Sequence, residues 1–153
     1  MIRLISFFIA TITVLFGFNA WSCPTDFTGY YNCKSDDKHF NARIEQQTKN
    51  DVTTFTHGDP FIIDGDAHNL SWDVFEGTYV GTCDPGLVTL ELAGEIIVDG
   101  VKFADMTNII NYAYVNDNEI TISENYTRKY NDGTEYNVAE TYNCVRAKDE
   151  REE

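Results

Sequence analysis

Positive charge is scarce in this chain. Eleven Lys and Arg stand against 25 Asp and Glu, a net charge of −14. So acidic a balance argues against a nucleic-acid binder, which needs a basic footprint, and against adsorption to anionic lipid. Its first use is solubility; its second is attraction of a cationic partner. Histidine is rare too, with three in 153 residues. No Ser/His/Asp spacing stands out, and neither G-x-S-x-G nor a Gly-rich phosphate loop occurs. Catalysis is therefore the minority reading, and no cofactor is expected. There is no C-x-x-C pair, which weakens zinc-ribbon and thioredoxin readings. With three prolines and no Pro/Ser linker, low-complexity run or repeat, nothing divides the chain. A convincing amphipathic helix is also missing.

The N-terminus comes first among the features present. Arg3 is the one charge in residues 1–22, and an apolar stretch runs from Leu4 to Phe18. This is the form of a secretory signal peptide. The run is short for a membrane span, which takes about 20 residues. Ala20 and Ser22 place small side chains at −3 and −1 of a cleavage before Cys23. A lipobox reading of Cys23 is disfavoured, because Ala20 stands where that motif usually has Leu. Cleavage leaves 131 residues with a net charge of −15, enough for one domain with an ordinary core. The expected organisation is a signal peptide over 1–22, a single domain over 23–146 and a charged, frayed tail over 147–153. The expected location is secreted or periplasmic, with no membrane insertion after cleavage.

From Cys23 onward, runs rich in Val, Ile, Thr and Tyr alternate with turn clusters, the pattern of an all-β meander. Strands are expected near 27–33, 40–48, 52–57, 60–64, 70–75, 77–83 and 87–93. Asp99-Gly100 signals a two-residue type I′ hairpin. That register sets Val98 against Val101 and Ile96 against Phe103, all on one buried face. From 119 to 130 the even positions hold Ile120, Ile122, Tyr126 and Tyr130, and no odd position is apolar, so one face is wet. A three-residue loop at 131–133, with Gly133 left-handed, pairs Tyr126 with Val138 and Ile122 with Tyr142. A three-residue loop at 116–118 sets Tyr112 against Ile122 and Tyr114 against Ile120. The economical arrangement is an antiparallel up-and-down meander, closed or rolled into a small barrel of about 8–10 strands.

The four cysteines lie beyond the signal, an even count that predicts two disulfides. An extended 27–33 separates its ends by about 20 Å, while disulfide Cα atoms sit within about 7 Å. Cys23–Cys33 is thereby disfavoured. In a barrel of even strand number the first and last strands run antiparallel. That places Cys23 and Cys144 at one end, so the expected bridges are Cys23–Cys144 and Cys33–Cys83.

The stretch Phe27-Thr28-Gly29-Tyr30-Tyr31 resembles the first-strand Phe-x-Gly-x-Trp signature of lipocalin-like (calycin) barrels, with Tyr31 in place of Trp. The likeness covers about eight residues. It implies an antiparallel barrel with an apolar ligand cavity, and a late arginine packed on the signature aromatic, a part open to Arg128 or Arg146. Thr134-Glu135-Tyr136 is similar to the family's Thr-Asp-Tyr turn but lies too near the C-terminus, and the family's C-terminal helix has no counterpart. Arg128-x-Tyr130 also resembles the Arg-x-Tyr that holds a carboxylate in fatty-acid-binding barrels, where it lies on the last strand.

Three readings of the chemistry follow. Tyr31, Tyr112, Tyr126, Tyr130, Tyr136 and Tyr142 with Arg128 form the candidate ligand-binding set, for a small apolar or amphipathic ligand without covalent chemistry. Glu124 and Glu140 fall opposite one another on the apolar face; like charges so placed need Arg128, a proton or a metal if buried, or water at a rim. Paired carboxylates also suggest glycosidase chemistry, on two residues too slender a basis. Asp64-x-Asp66-x-His68 has ligand-type residues, but Gly65 argues for a turn and no recognised zinc or EF-hand spacing is present, so no metal is expected. The alternative to ligand binding is an acidic exported interaction or inhibitor module for a cationic protein.

Overall fold

The structure, a computed structural model, describes residues 23–148. The expected signal peptide, and the tail beyond 148, lie outside the described residues. The described residues form ten antiparallel strands: β1 (Gly29–Lys34), β2 (His39–Lys49), β3 (Val52–His57), β4 (Asp59–Ile63), β5 (Ala67–Ser71), β6 (Phe75–Asp84), β7 (Leu87–Val98), β8 (Val101–Asn116), β9 (Glu119–Tyr130) and β10 (Glu135–Ala147). Their order across the sheet is β4-β3-β2-β1-β10-β9-β8-β7-β6-β5. Every consecutive pair but β4 and β5 is hydrogen-bonded, and the first strand pairs with the last. The meander is thus rolled into a nearly closed barrel. Its seam lies between β4 and β5, where the Gly65 N–H donates to the Gly81 carbonyl at 2.9 Å and the Ile62 N–H to the Tyr79 hydroxyl at 2.9 Å.

Turn chemistry sets the registers. Asp99 and Gly100 both have positive φ, 51° and 75°, as a type I′ turn requires. Gly133 at φ 86° ends the three-residue loop between β9 and β10, which places Val138 opposite Tyr126 and Tyr142 opposite Ile122. Tyr112 faces Ile122 and Tyr114 faces Ile120 as expected; the connection itself is a two-residue turn at 117–118 with the register shift between Tyr114 and Asn116. The hairpin at Asp99-Gly100 departs from expectation. A bulge between Ile96 and Ile97 opposes Ile96 to Ala104 instead of Phe103. Val98, Val101 and Phe103 are consequently exposed, and only Ile96 of the four is buried. Further back, residues 72–74 are a turn and the strand expected near 70–75 lies at Ala67–Ser71. β7 runs unbroken from Leu87 to Val98. At its centre inward-facing Gly94 pairs with Gly77, and the Phe75 ring lies over both. Two facing glycines let the sheet bend sharply there, and the aromatic fills the space their missing side chains leave.

The interior is packed. Phe27, Tyr31, Ile44, Phe55, Ile63, Val88, Leu90, Tyr112 and Ile120 are almost wholly buried. Phe27 precedes β1 and plugs the barrel end at which β1 begins. Its ring meets Phe55 edge-on at 6.0 Å. Gln46 Nε2 donates to the Thr25 carbonyl at 3.0 Å, and the Gly86 N–H to Thr25 Oγ1 at 2.9 Å. These bonds fasten the plug.

Both cysteine pairings differ from expectation. The bridges are Cys23–Cys83 and Cys33–Cys144. β1 lies along the C-terminal part of β10, Tyr30 with Ala147 and Lys34 with Asn143, so Cys33 and Cys144 are direct cross-strand neighbours with Cα atoms 4.0 Å apart. Cys23, six residues ahead of β1, is instead carried across the plugged end to the close of β6. Its sulfur is engaged in that bridge, which leaves none for lipidation. Two disulfides fit an oxidising compartment.

Candidate functional site

The ends of the barrel differ. One is stoppered by Cys23–Thr28. The other is cut on a slant, because the strands are unequal. β1 stops at Lys34, opposite Asn143, while β10 begins at Glu135. The sheet of β8, β9 and β10 therefore stands above the rim of β1 and β2 by eight residues of strand, about 25 Å. The even positions of each strand, the more buried series, share the inner face of this projecting wall at the slanted mouth of the barrel.

At the floor of that wall a polar layer covers the core. Asn108 is buried, and its Nδ2 donates to Glu124 Oε1 at 2.6 Å; its Oδ1 has no partner among the described residues. The Tyr112 hydroxyl and His57 Nδ1 are 2.8 Å apart. Burial, with a smaller contribution from the Glu124 carboxylate, pushes the Tyr112 hydroxyl far above the usual phenol range. Burial likewise lowers the pKa of His57, so its ring is neutral at pH 7.

Glu124 and Glu140 are directly opposed, as the register predicts, and each finds a separate partner. Glu124 has the Asn108 amide. Glu140 accepts from Lys38 Nζ with one oxygen and from the Tyr142 hydroxyl with the other. Tyr142 itself is buried, its ring edge-on to Phe40 at 4.9 Å.

Arg128 compensates neither carboxylate. It lies higher on the wall between two aromatic rings of its own strand, 5.5 Å from the Tyr126 centroid and 5.9 Å from that of Tyr130. Its Nε donates to the Tyr126 hydroxyl at 2.7 Å. Hydrogen bonds to Tyr130 and Tyr126 shift the guanidinium pKa upward from the ordinary arginine value. Among the described residues no carboxylate lies within ion-pair distance of Arg128, in a chain where acids outnumber bases more than two to one. Tyr136 sits directly across from it on β10, half-exposed, its ring edge-on to Tyr126 at 6.3 Å.

The seven candidate ligand contacts thus divide. Tyr126, Arg128, Tyr130 and Tyr136 meet at the mouth. Tyr142 lies beneath them, held to Glu140. Tyr31 and Tyr112 are core residues. The Tyr31 hydroxyl donates to the Phe27 carbonyl at 3.0 Å, and Arg146 packs over the ring, 5.2 Å from its centroid, with Nη2 donating to the hydroxyl at 3.0 Å. Burial raises the Tyr31 pKa, opposed by the Arg146 charge. Of the two arginines weighed for packing on Tyr31, it is Arg146 that does so.

Sequence reasoning passed over Asn108, His57 and Lys38. Asn108 was open to detection as a polar residue in the even-numbered series Ala104, Met106, Ile110, Tyr112. His57 similarly continues the inward series Thr53, Phe55. Lys38 belongs to a turn and has no such signal. In the acidic run, His68 Nε2 lies 2.9 Å from Asp64 Oδ1 and the Asp66 N–H donates to the same oxygen at 3.0 Å, closing a turn at Gly65. Among the described residues no three His, Cys, Asp or Glu side chains gather as a metal site would need. No protein-family model, curated protein or solved structure matches this chain.

Proposed function

We propose that this is an exported, secreted or periplasmic, lipocalin-like binding protein, which takes a small amphipathic ligand at the slanted mouth and performs no covalent chemistry on it. The observation that carries the reading is Arg128: a guanidinium clamped between Tyr126 and Tyr130, without a carboxylate partner among the described residues, on the inward-facing series of the projecting sheet. An anionic head group meets the guanidinium, and an apolar body lies along Tyr126, Tyr130, Tyr136 and Val138. Because the barrel below is filled, the ligand rests on the polar floor of Asn108 and Glu124 and does not enter a deep cavity. The packing of Arg146 on Tyr31 supports the likeness to lipocalin-like barrels, and the two disulfides support an oxidising location.

Titration of tyrosine fluorescence with dodecanoate and with dodecanol tests the reading. A charge-assisted hydrogen bond contributes about 1.5–3 kcal/mol, so dodecanoate should bind at least about tenfold more tightly than dodecanol, and Arg128→Gln should abolish the difference. Equal affinities for the two probes would sink the assignment. A second reading, an interaction module for a cationic protein, is favoured by the net charge of −14 together with the strand edge described next.

A further inference from the structure

Among the described residues, strand β10 has one neighbouring strand along its first eight residues. β9 pairs with it from Glu135 to Val145, but β1 reaches it only from Asn143 to Ala147. The parity of the ladder follows from the hairpin. The Tyr130 N–H bonds the Thr134 carbonyl at 2.9 Å, so even residues of β10 aim their backbone groups at β9, and odd ones aim them away. Among the described residues, Asn137, Ala139 and Thr141 therefore present N–H and C=O groups without a ladder partner at a sheet edge.

The notch left where β1 stops is a groove of about 950 Å³ flanked by Lys34, the Ser35–Lys38 turn and Ala139–Thr141. Exposed edges are usually blunted by short strands, proline, lysine or bulges. The two strands at the seam follow that rule, at five residues each with Pro60 in β4. The free part of β10 has neither proline, lysine nor bulge. Its inward charge, Glu140, is already neutralised by Lys38.

We propose that residues 135–142 of β10 are a docking edge for an extended segment of a cationic protein, which adds to the sheet as a further strand. The inference rests on the second reading above and names its surface. Main-chain hydrogen bonds hold such a segment. Charge selects it: the notch lining carries Asp36, Asp37 and Glu140 against Lys34 and Lys38, and Glu135 opens β10 with Asp132 just before it, so the edge is net acidic and a strand with basic residues at its ends is matched. A second copy of the chain would bring two net charges of −14 together, which self-repulsion opposes.

The test uses the protein and a blocked eight-residue peptide of alternating Val and Thr with Lys at both ends. Amide hydrogen exchange should slow at Asn137, Ala139 and Thr141 when the peptide is present. Ala139→Pro removes an outward N–H without touching the β9 ladder and should weaken binding about tenfold, the worth of one or two hydrogen bonds. Against the chance that this variant folds poorly, the same peptide N-methylated at alternate residues should fail to bind the unaltered protein. Unchanged binding by the N-methylated peptide, or protection absent from these three amides, overturns the docking edge. Equal binding of a peptide with Glu in place of Lys overturns the cationic partner and with it the second reading, whatever the edge does. Protection that grows with protein concentration alone assigns the edge to a second copy and refutes the proposal.

Discussion

Removing the Cys33–Cys144 bridge should bring the protein near the limit of stability. The two cysteines are 111 residues apart. Loop-closure entropy for that length is worth about 4.8 kcal/mol at 25 °C. The other bridge shortens the path, because a chain running from Cys33 back to Cys23, across to Cys83 and on to Cys144 spans 71 residues, from the positions of the paired cysteines. With Cys23–Cys83 intact the contribution falls only to about 4.4 kcal/mol, since the dependence on length is logarithmic. Both sulfurs are buried, so Cys33→Ala/Cys144→Ala adds the cost of two small vacated volumes. Domains of this size have about 5–15 kcal/mol in hand, and the loss therefore consumes a large share. For 126 described residues, an unfolding entropy of about 2.1 cal/mol/K per residue converts 4.4 kcal/mol into a fall in Tm of about 17 °C. Urea titration followed by far-UV circular dichroism and tyrosine fluorescence gives the free energy, and thermal scans give Tm. A loss under about 1 kcal/mol would refute the reasoning, since the unfolded chain would then already hold β1 against β10 without the bridge.

Three further outcomes follow from other contacts. Tyr31→Phe leaves the buried Phe27 carbonyl unpaired and takes an acceptor from Arg146; it should cost about 1–3 kcal/mol in urea unfolding. Gly94→Ala would set a methyl group 2.3 Å from the Glu76 carbonyl oxygen and 2.8 Å from the Phe75 ring, and overpacking of about 1–3 kcal/mol or more should appear in the same assay. The third concerns pH. Burial depresses the His57 pKa in the folded state, so its contribution is fully present above the unfolded value of about 6.5. It is lost as pH falls from there through the folded value, because the unfolded state takes up the proton first. Stability measured between pH 7.5 and 5 should fall more steeply for the parent than for His57→Gln; parallel slopes would show that His57 is not held neutral.

The legible parts of the fold are those governed by local chemistry. Alternation over 119–130 and the demands of Gly133 were enough to set β9 against β10 residue by residue. Asp99-Gly100 named its own turn. The bulge at Ile96 was not legible, since either Phe103 or Ala104 satisfies the pattern and only the space inside the barrel chooses the smaller. Disulfide pairing failed for a similar reason. Strand direction was read correctly, but the partner of Cys144 depends on how far β10 runs past it, which is a matter of three residues at a strand end. The candidate site was half visible. Tyr126, Arg128, Tyr130 and Tyr136 share a face by parity, and the structure brings them together. Tyr112 has the same even parity, and Tyr31 faces inward on the odd series of β1, yet both are core, because burial depends on height along the barrel, a coordinate that period-two patterns do not contain.

The closure of β1 on β10 has a consequence in time. Apart from it, every strand pairing joins sequence neighbours through a short turn and can form as soon as both arms exist. β1 alone has to wait for a partner strand more than a hundred residues away. A chain that emerges from its N-terminus therefore carries Cys33 as an unpaired thiol, beside a strand edge without its mate, until almost all the rest has appeared. During that interval Cys83 is already present and Cys144 is not. The pairing Cys33–Cys83 is then open to the chain before the native one, and a protein thiol–disulfide exchanger would have the most to correct at that stage.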